Sequence, residues 1–315
     1  MKPTILVATQ FPERLLGRRA ERYTLCGVPE SVDPNSLPQD ARDARVLITL
    51  GSLRTDAALM EALPKLGLIA CYGTGFEGVD LAAARARGIV VTHAGDTNST
   101  AVAEFAMGLI IASARDLIRG DRYARAGRWR GDIIERLAMT PGLAGQRLGI
   151  YGLGSIGSKL ATRAAAFEME IAYHNRKPRP DVPYAYHPTL IGLATWADIL
   201  VVAVRADDGN RHAINREVLA ALGPKGHLVN ISRGIAVDTA ALCNALEART
   251  IAGAGIDVYE DEPHIPERLT RLDNVVLTPH MAAISANAQR AQRDIMFANL
   301  EAFFAGRPLL TRVPE

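Results

Sequence analysis

Three polar residues of different type, Arg233, Glu262 and His280, each lie at or just beyond the end of a strand-like run in the second half of the chain. Histidine is the usual proton donor near neutral pH, because its unperturbed pKa is about 6.5. A carboxylate beside it favours the imidazolium, and an arginine fork can bind a carboxylate and polarise a keto oxygen. The set predicts proton transfer on a substrate that carries a carboxylate.

Each of these residues also has an ordinary structural interpretation. The chain has seven histidines, and a lone histidine is more often structural than catalytic. Arg233 alone could be a surface ion-pair partner, and Glu262 with the following proline could form a turn. Their common position favours chemistry, because ligands of open α/β sheets bind outside the carboxyl ends of the strands. Three such ends could converge on one site.

A glycine-rich motif of the dinucleotide-binding type stands directly after the strand-like run 148–151. It reads Gly152-Leu153-Gly154-Ser155-Ile156-Gly157. A helix-compatible run, 158–167, and a second strand, 170–174, follow it, which is the context that the motif requires. The first glycine would permit the tight turn, the second would let the backbone approach the pyrophosphate, and the third would let helix and strand pack closely. The motif predicts a dinucleotide site, with an ordinary glycine-rich turn as the alternative.

A second match lies earlier, after the run 68–72. It reads Gly73-Thr74-Gly75-Phe76-Glu77-Gly78, and the helical run behind it is short. We do not expect it to hold a second dinucleotide. A loop with free N–H groups can cradle a small anion such as a carboxylate, and a simple strand-to-helix turn explains the glycines equally well.

The residues after the second strand of the dinucleotide unit bear on the choice of cofactor. An NAD site normally places Asp or Glu there, on the ribose hydroxyls. This chain has Asn175, Arg176 and Lys177, with Arg179 close behind. Cationic side chains attract a 2′-phosphate, whereas a carboxylate repels it. The segment favours NADP(H) over NAD(H), which remains possible, and a solvated basic loop is the alternative.

The elements that must position these residues form two series of short, nearly continuous apolar runs. Such runs are typical of buried parallel strands, and their alternation with helical segments indicates doubly wound α/β sheets. Two long amphipathic helices, at 98–119 and from about 285 to Gly306, are interpreted as connectors between domains. We expect a Rossmann-type dinucleotide-binding domain at 99–284, inserted in a discontinuous substrate domain of flavodoxin-like type formed by 1–98 and 285–315.

Composition and charge exclude several function classes. The 315 residues carry 36 Lys and Arg against 34 Asp and Glu, so the electrostatic footprint of a nucleic-acid binder is missing. No run approaches the roughly 18 apolar residues of a membrane span. Three widely spaced cysteines give neither a disulfide framework nor metal-ligand spacing. We expect a cytoplasmic protein without a metal.

With these residues in view, the chain resembles the D-isomer-specific 2-hydroxyacid dehydrogenases over essentially its whole length. Within that family it is most similar to the glyoxylate/hydroxypyruvate reductases that use NADPH. The resemblance is carried by four stretches: residues 149–157, 229–234, 253–263 and 278–280.

The resemblance implies a role for each candidate. His280 would be the acid/base, Glu262 its partner, and Arg233 the group that binds the substrate carboxylate and carbonyl. Asp257 would contact the nicotinamide amide. Gly73, Thr74 and Gly75 would present N–H groups to the substrate carboxylate, which favours the anion-binding interpretation of the earlier motif.

The resemblance also bears on assembly and on the loop after the run 199–203. A homodimer joined through the cofactor domains is implied, with a segment that here includes Trp129. Many relatives have a proline in the loop where this chain has Val204 and Arg205. Both residues are predicted cofactor neighbours, and Arg205 either contacts a cofactor phosphate or is solvated. Ser99 stands where close relatives often have Thr.

The predicted activity is therefore reduction of a small 2-keto acid, such as glyoxylate or hydroxypyruvate, to the D-2-hydroxy acid, with the active site in the cleft between the domains. The substrate could also be bulkier, such as an aryl pyruvate. Two alternative functions remain. One is NAD-dependent oxidation of a D-2-hydroxy acid, and the other is a nucleotide-sensing binding protein, because the same fold can serve either function.

Overall fold

Two parallel β-sheets, one in each of two units of the chain, organise the computed structural model. The structure describes residues 2–8, 18–27, 34, 37, 39–130, 139–205 and 207–314. One unit comprises residues 1–98 and 285–315, and the other comprises residues 99–284. No helix in these described ranges has both the length and the apolar character needed to cross a lipid bilayer.

The strands and helices are numbered here in chain order. They are β1 (Thr4–Val7), β2 (Thr24–Gly27), β3 (Val46–Thr49), α1 (Ala57–Ala62), β4 (Leu68–Cys71), α2 (Leu81–Ala86), β5 (Val90–Thr92), α3 (Ser99–Ala114), α4 (Leu117–Arg125), β6 (Arg147–Tyr151), α5 (Ser155–Ala165), β7 (Glu170–His174), β8 (Ala185–Tyr186), α6 (Leu190–Trp196), β9 (Ile199–Val202), α7 (Arg216–Leu222), β10 (His227–Asn230), α8 (Thr239–Glu247), β11 (Gly253–Ile256), α9 (Glu267–Thr270), β12 (Val275–Leu277) and α10 (Ala286–Phe304).

The first unit is a five-stranded parallel sheet in the order β2-β1-β3-β4-β5. That is the flavodoxin-like order. Apolar clusters cover both faces, and α10 supplies Met296, Phe297 and Leu300 to one of them. The strands β3 and β4 are buried at every position. Burial on both faces explains why their sequences are continuously apolar rather than alternating.

The second unit is a seven-stranded parallel sheet in the order β12-β11-β10-β9-β6-β7-β8. The chain runs outward from β6 to β8, then returns to β9 on the other side of β6 and runs outward again to β12. The strand order thus reverses between β6 and β9, which is the position where such sheets bind their ligands. The predicted α/β class with two doubly wound parallel sheets is confirmed.

Some elements differ from the sequence expectation. The helix expected at 98–119 ends at Ala114, Asp116 has a left-handed backbone with φ of 53°, and α4 begins at Leu117. Aspartate tolerates this conformation better than most residues, so a break can form there. The strands β2 and β8 were not anticipated. Both pair on one side only, β2 is mostly exposed and β8 has two residues, so neither shows the apolar run of a buried strand.

Candidate active site

The loop 152–154 that joins β6 to α5 has the geometry expected of a dinucleotide-binding turn. Gly152 has φ of 101°, and a Cβ on it would lie 2.7 Å from the backbone of Ala203 and Val204. A Cβ on Gly157 would lie 2.3 Å from the carbonyl oxygen of Gly152. Both sites therefore require glycine. They bring the first turn of α5 and the end of β9 against the loop.

The N-terminal end of α5 leaves room for an anion. Gly154 is the N-cap residue, so no side chain caps the helix, and nothing lies within 4 Å of the position that a Cβ would take. The first N–H groups of a helix need partners from outside the helix, and phosphate oxygens suit them because the helix dipole favours negative charge there. The turn fits the pyrophosphate of a dinucleotide.

Asn175, which follows β7, helps to shape this loop. Its Oδ1 accepts a hydrogen bond of 2.7 Å from the Leu153 N–H. The Arg179 guanidinium donates through Nη1 to the Leu153 carbonyl oxygen at 3.0 Å and to Ser158 Oγ at 2.9 Å, and it also pairs with Asp181. The segment after β7 therefore holds the fingerprint loop in place through the N–H and the carbonyl oxygen of Leu153. The sequence located the segment but did not predict this bracing.

The two other cations of the segment are differently placed. Arg176 is 78% exposed and pairs with Asp207, which follows β9. Lys177 is exposed, and none of the residues that the structure describes forms an ion pair with it. Both residues are therefore exposed cations that directly follow β7. The Arg179 side chain, by contrast, already has hydrogen-bond and ion-pair partners within the protein.

His280 and Glu262 meet at the carboxyl end of the sheet. Nδ1 of His280 lies 2.7 Å from Oε2 of Glu262, and Oε1 accepts a hydrogen bond of 3.0 Å from the Tyr259 N–H. Burial alone would raise the pKa of Glu262, but the hydrogen bonds from His280 and Tyr259 and the charge of Arg233 hold it below its usual value. The carboxylate is therefore ionised at neutral pH and can stabilise an imidazolium. The side chains are 43% and 35% exposed, so a solute can reach the pair.

The loop that carries His280 is held by Asp257. His280 has a left-handed backbone with φ of 50°, which needs support for a residue with a side chain. Its N–H donates to the Asp257 carbonyl oxygen at 2.8 Å. The Asp257 carboxylate is 1% exposed and accepts from Thr278 Oγ1 at 2.7 Å, from the Met281 N–H at 2.9 Å and from the Ala282 N–H at 3.0 Å.

Both Asp257 oxygens are thus engaged within the protein. This brace comes from residues about 20 positions away in the sequence, and no sequence pattern indicated it. Tyr259 adds a second link, because its hydroxyl donates to the Thr278 carbonyl oxygen at 3.0 Å while its N–H contacts Glu262. The predicted contact of Asp257 with the nicotinamide amide stays a prediction.

Arg233 follows β10 and lies within electrostatic range of Glu262. It is half-buried, and its Nη1 donates to the Ser232 carbonyl oxygen at 2.8 Å. Gly234 fixes the loop behind it, since a Cβ there would lie 1.9 Å from the Tyr259 carbonyl carbon. The strand ends after β10, β11 and β12 therefore bring Arg233, Glu262 and His280 to one region of the second unit.

The earlier glycine motif lies in the first unit and follows β4. A Cβ on Gly78 would lie 2.5 Å from the Leu53 carbonyl oxygen, and α2 begins only at Leu81, with Asp80 as its cap. The motif does not open directly into a helix as a dinucleotide turn does. Within the described part of the chain, the N–H groups of Gly73 and Gly75 have no hydrogen-bond partner. They leave donors for a small anion.

The remaining predicted residues lie as follows. Val204 is partly buried behind the fingerprint loop, near Gly152, and Arg205 beyond it is exposed. Trp129 has a side chain that is 60% exposed. Among the described residues, no group of three or more His, Cys, Asp or Glu side chains is arranged to hold a metal ion.

Comparison with known proteins places this geometry in a family. Residues 107–282 match the family model of the D-isomer specific 2-hydroxyacid dehydrogenase, NAD binding domain. Glyoxylate/hydroxypyruvate reductase A from Arabidopsis thaliana is 40% identical over 310 residues, which are 98% of this chain and 98% of the relative. Hydroxyphenylpyruvate reductase from Plectranthus scutellarioides is 41% identical over 304 residues, which are 96% and 95% of the two chains.

A solved structure agrees with these sequence relatives. The NADPH-dependent glyoxylate/hydroxypyruvate reductase of Sinorhizobium meliloti, determined in complex with NADP and malonate, superposes with a TM-score of 0.92. It is 41% identical, and the match covers 99% of this chain and 97% of that protein. This chain therefore belongs to the D-isomer specific 2-hydroxyacid dehydrogenase family and is an NAD(P)-dependent oxidoreductase that acts on 2-keto or 2-hydroxy acids.

Proposed function

We propose that this protein reduces a small 2-keto acid, such as glyoxylate or hydroxypyruvate, to the D-2-hydroxy acid with NADPH. The observation that carries the proposal is the His280–Glu262 pair, 2.7 Å between Nδ1 and Oε2, beside Arg233 at the carboxyl ends of three strands. The same sheet carries the fingerprint turn. An acid, its partner and a cation near a dinucleotide turn are the groups that keto-acid reduction requires.

The cofactor's pyrophosphate would bind at the N–H groups that begin α5, beside Gly152, Leu153 and Gly154. The open space at Gly154 and the uncapped helix support this assignment. Ser155, Ile156 and Gly157 form the turn that presents those groups. A bound reduced nicotinamide supplies the hydride for C2 of the keto acid.

His280 supplies the proton for the new hydroxyl group. Its Nδ1 faces the Glu262 carboxylate, so Nε2 is the nitrogen that is left to face the substrate oxygen. Ionised Glu262 stabilises the imidazolium before transfer and fixes the plane of the ring. Asp257 holds the backbone of the loop, so that His280 keeps this orientation. Once the proton has left Nε2, the neutral ring recovers a proton from solvent.

Arg233 binds the substrate carboxylate and polarises the keto oxygen, so that negative charge developing on that oxygen is stabilised. In the first unit, Gly73, Thr74 and Gly75 present N–H groups to the substrate carboxylate. The unpartnered N–H groups of Gly73 and Gly75 support this part of the proposal. By family analogy, we further propose a homodimer whose interface includes Trp129.

The preference for NADPH rests on the residues that follow β7. Arg176 and Lys177 are exposed cations at the place where an NAD site normally has a carboxylate for the ribose. The Sinorhizobium meliloti relative was determined with NADP, which supports the same preference. NAD(H) is the alternative cofactor. A relative named for hydroxyphenylpyruvate supports testing a bulkier keto acid as well.

The experiment follows the loss of reduced-nicotinamide absorbance with purified protein. Glyoxylate, hydroxypyruvate and hydroxyphenylpyruvate are each tested with NADPH and with NADH. Faster oxidation of NADPH on a small keto acid supports the proposal. Faster turnover with NADH, or oxidation of the hydroxy acid alone, favours the NAD-dependent alternative. Tight cofactor binding without any turnover favours a nucleotide-sensing protein.

A further inference from the structure

A carboxylate lies beside the arginine that we assign to the cofactor's 2′-phosphate. Oδ2 of Asp207, after β9, accepts a hydrogen bond from Nη2 of Arg176, after β7. Burial raises the pKa of the Tyr151 hydroxyl at the end of β6, and the charges of Arg176 and Asp207 shift it in opposite directions, so both groups are close to it. The ion pair therefore bridges strand ends around the point where the strand order reverses.

The two partners differ in how firmly they are held. Oδ1 of Asp207 accepts a hydrogen bond of 3.0 Å from the Gly209 N–H. The Asp207 N–H donates to Oδ1 of Asn210 at 3.0 Å, and Asn210 is 4% exposed. These reciprocal bonds cap a short 3-10 turn, so the carboxylate is anchored by its own backbone. Arg176 is 78% exposed and can turn toward another anion.

We propose that Asp207 is a specificity-determining residue that holds Arg176 in the absence of a 2′-phosphate and thereby lowers the preference for NADPH over NADH. The inference rests on the proposed use of NADP(H). An ion pair between exposed side chains is weak. A 2′-phosphate with nearly two negative charges can therefore displace Asp207 as the partner of the Arg176 guanidinium. The anchored Asp207 then stays behind as an anion near the phosphate and repels it.

NADH presents no such phosphate, so Arg176 keeps its carboxylate partner. Arg179 is engaged with Leu153, Ser158 and Asp181. Arg176 and Lys177 are therefore the exposed cations of the segment after β7, and Asp207 is the carboxylate that pairs with Arg176.

The test measures dissociation constants by calorimetry for NADPH, NADH and adenosine 2′,5′-bisphosphate. Asp207→Asn removes the charge and keeps an oxygen that can accept from the Gly209 N–H, so the turn is retained. We expect NADPH and the bisphosphate to bind about threefold to tenfold more tightly to this variant. Binding of NADH should change less than about twofold. The gain should shrink as salt rises, because exposed charges are screened.

Asp273→Asn is the matched control. Asp273 also pairs with an exposed arginine, Arg249 at 2.6 Å, but it lies before β12 at the amino ends of the strands. This variant should leave all three dissociation constants unchanged. If the wild type prefers NADPH but Asp207→Asn binds the bisphosphate no more tightly than the wild type does, the proposed role of Asp207 is wrong. The proposed cofactor preference then still stands. A wild type that binds NADPH no better than NADH contradicts the proposed cofactor preference and removes the basis of this inference.

Discussion

Nδ1 of His280 and Oε2 of Glu262 lie 2.7 Å apart, and Glu262 is held in turn by the Tyr259 N–H. The pKa of Glu262 lies below its usual value, because these hydrogen bonds and the charge of Arg233 outweigh its burial. The carboxylate is therefore ionised throughout the neutral range. Its negative charge can stabilise an imidazolium at His280.

Glu262→Gln tests this coupling. The amide keeps the shape but loses the charge, so the imidazolium loses its stabilising partner. We expect kcat for keto-acid reduction to fall about tenfold to a thousandfold. Steady-state kinetics at neutral pH measure this loss. A kcat equal to that of the wild type would mean that Glu262 does not support proton transfer from His280.

Arg233→Lys tests the role of the guanidinium. Lysine keeps the positive charge but cannot offer two parallel donors to a carboxylate. The variant should raise KM for the keto acid by about tenfold or more and leave the dissociation constant of NADPH within about twofold. Saturation kinetics and calorimetry separate these quantities. A KM equal to that of the wild type would remove Arg233 from substrate binding.

Asp257→Asn distinguishes two roles for the buried carboxylate. The asparagine amide places an NH2 group against at least one of the three groups that now donate hydrogen bonds to the carboxylate. The loop at 278–282 should therefore loosen. If Asp257 only positions His280, kcat falls while the dissociation constant of NADPH is retained. If it contacts the nicotinamide amide, as the family resemblance implies, NADPH binding weakens too. Wild-type kcat with unaltered binding contradicts both roles.

Arg176 and Lys177 are predicted to select the 2′-phosphate. Replacing both by glutamine should weaken NADPH binding about tenfold to a hundredfold and leave NADH nearly unchanged. Replacing Arg249 by glutamine removes an exposed cation at the opposite end of the strands and provides the control. Equal losses of affinity for NADPH and NADH would mean that the two cations bind a group that both cofactors contain.

Asp198 connects pH to stability in the second unit. Hydrogen bonds from the Arg147 side chain, at 2.7 and 3.1 Å, lower the pKa of Asp198 in the folded protein. A lowered pKa stabilises the fold above the unfolded value of about 3.9, and this contribution is lost as the pH falls through the folded value. The Arg147–Asp198 pair is partly exposed, which reduces its contribution.

Asp198→Asn should therefore lower Tm by about 2–4 °C at pH 7, and the difference from the wild type should shrink below pH 4. Thermal unfolding followed by circular dichroism at both pH values measures it. Asp273→Asn, whose ion pair with Arg249 is more exposed, should shift Tm by less than about 1 °C. A difference that persists undiminished in acid would exclude the ionised carboxylate as its source.

The sequence was informative where one local pattern decides the structure. The buried strands and the fingerprint glycines are local in this sense, because an apolar run or a steric requirement at Gly152 is visible in adjacent residues. The positions of Arg233, Glu262 and His280 followed from the rule that parallel strands end at one edge of the sheet.

Contacts between distant segments could not be predicted in this way. Asp257 was recognised only through family resemblance, because its hydrogen bonds to the loop at 278–282 depend on the register of β11 and β12. The pairing of Arg176 with Asp207 likewise requires β7 and β9 to flank β6. The edge strand β2 was missed because its exposed side chains show no apolar pattern.

A comparison of His280→Gln with the wild type, using NADPH and the best keto acid from the substrate panel, tests whether His280 is the proton donor. Glutamine keeps a hydrogen-bonding side chain but cannot deliver the proton, so kcat should fall about a hundredfold to ten-thousandfold. Calorimetry should show the dissociation constant of NADPH within about twofold of the wild type. Turnover near the wild-type rate, with NADPH bound as tightly, would contradict the assignment of His280 as the proton donor.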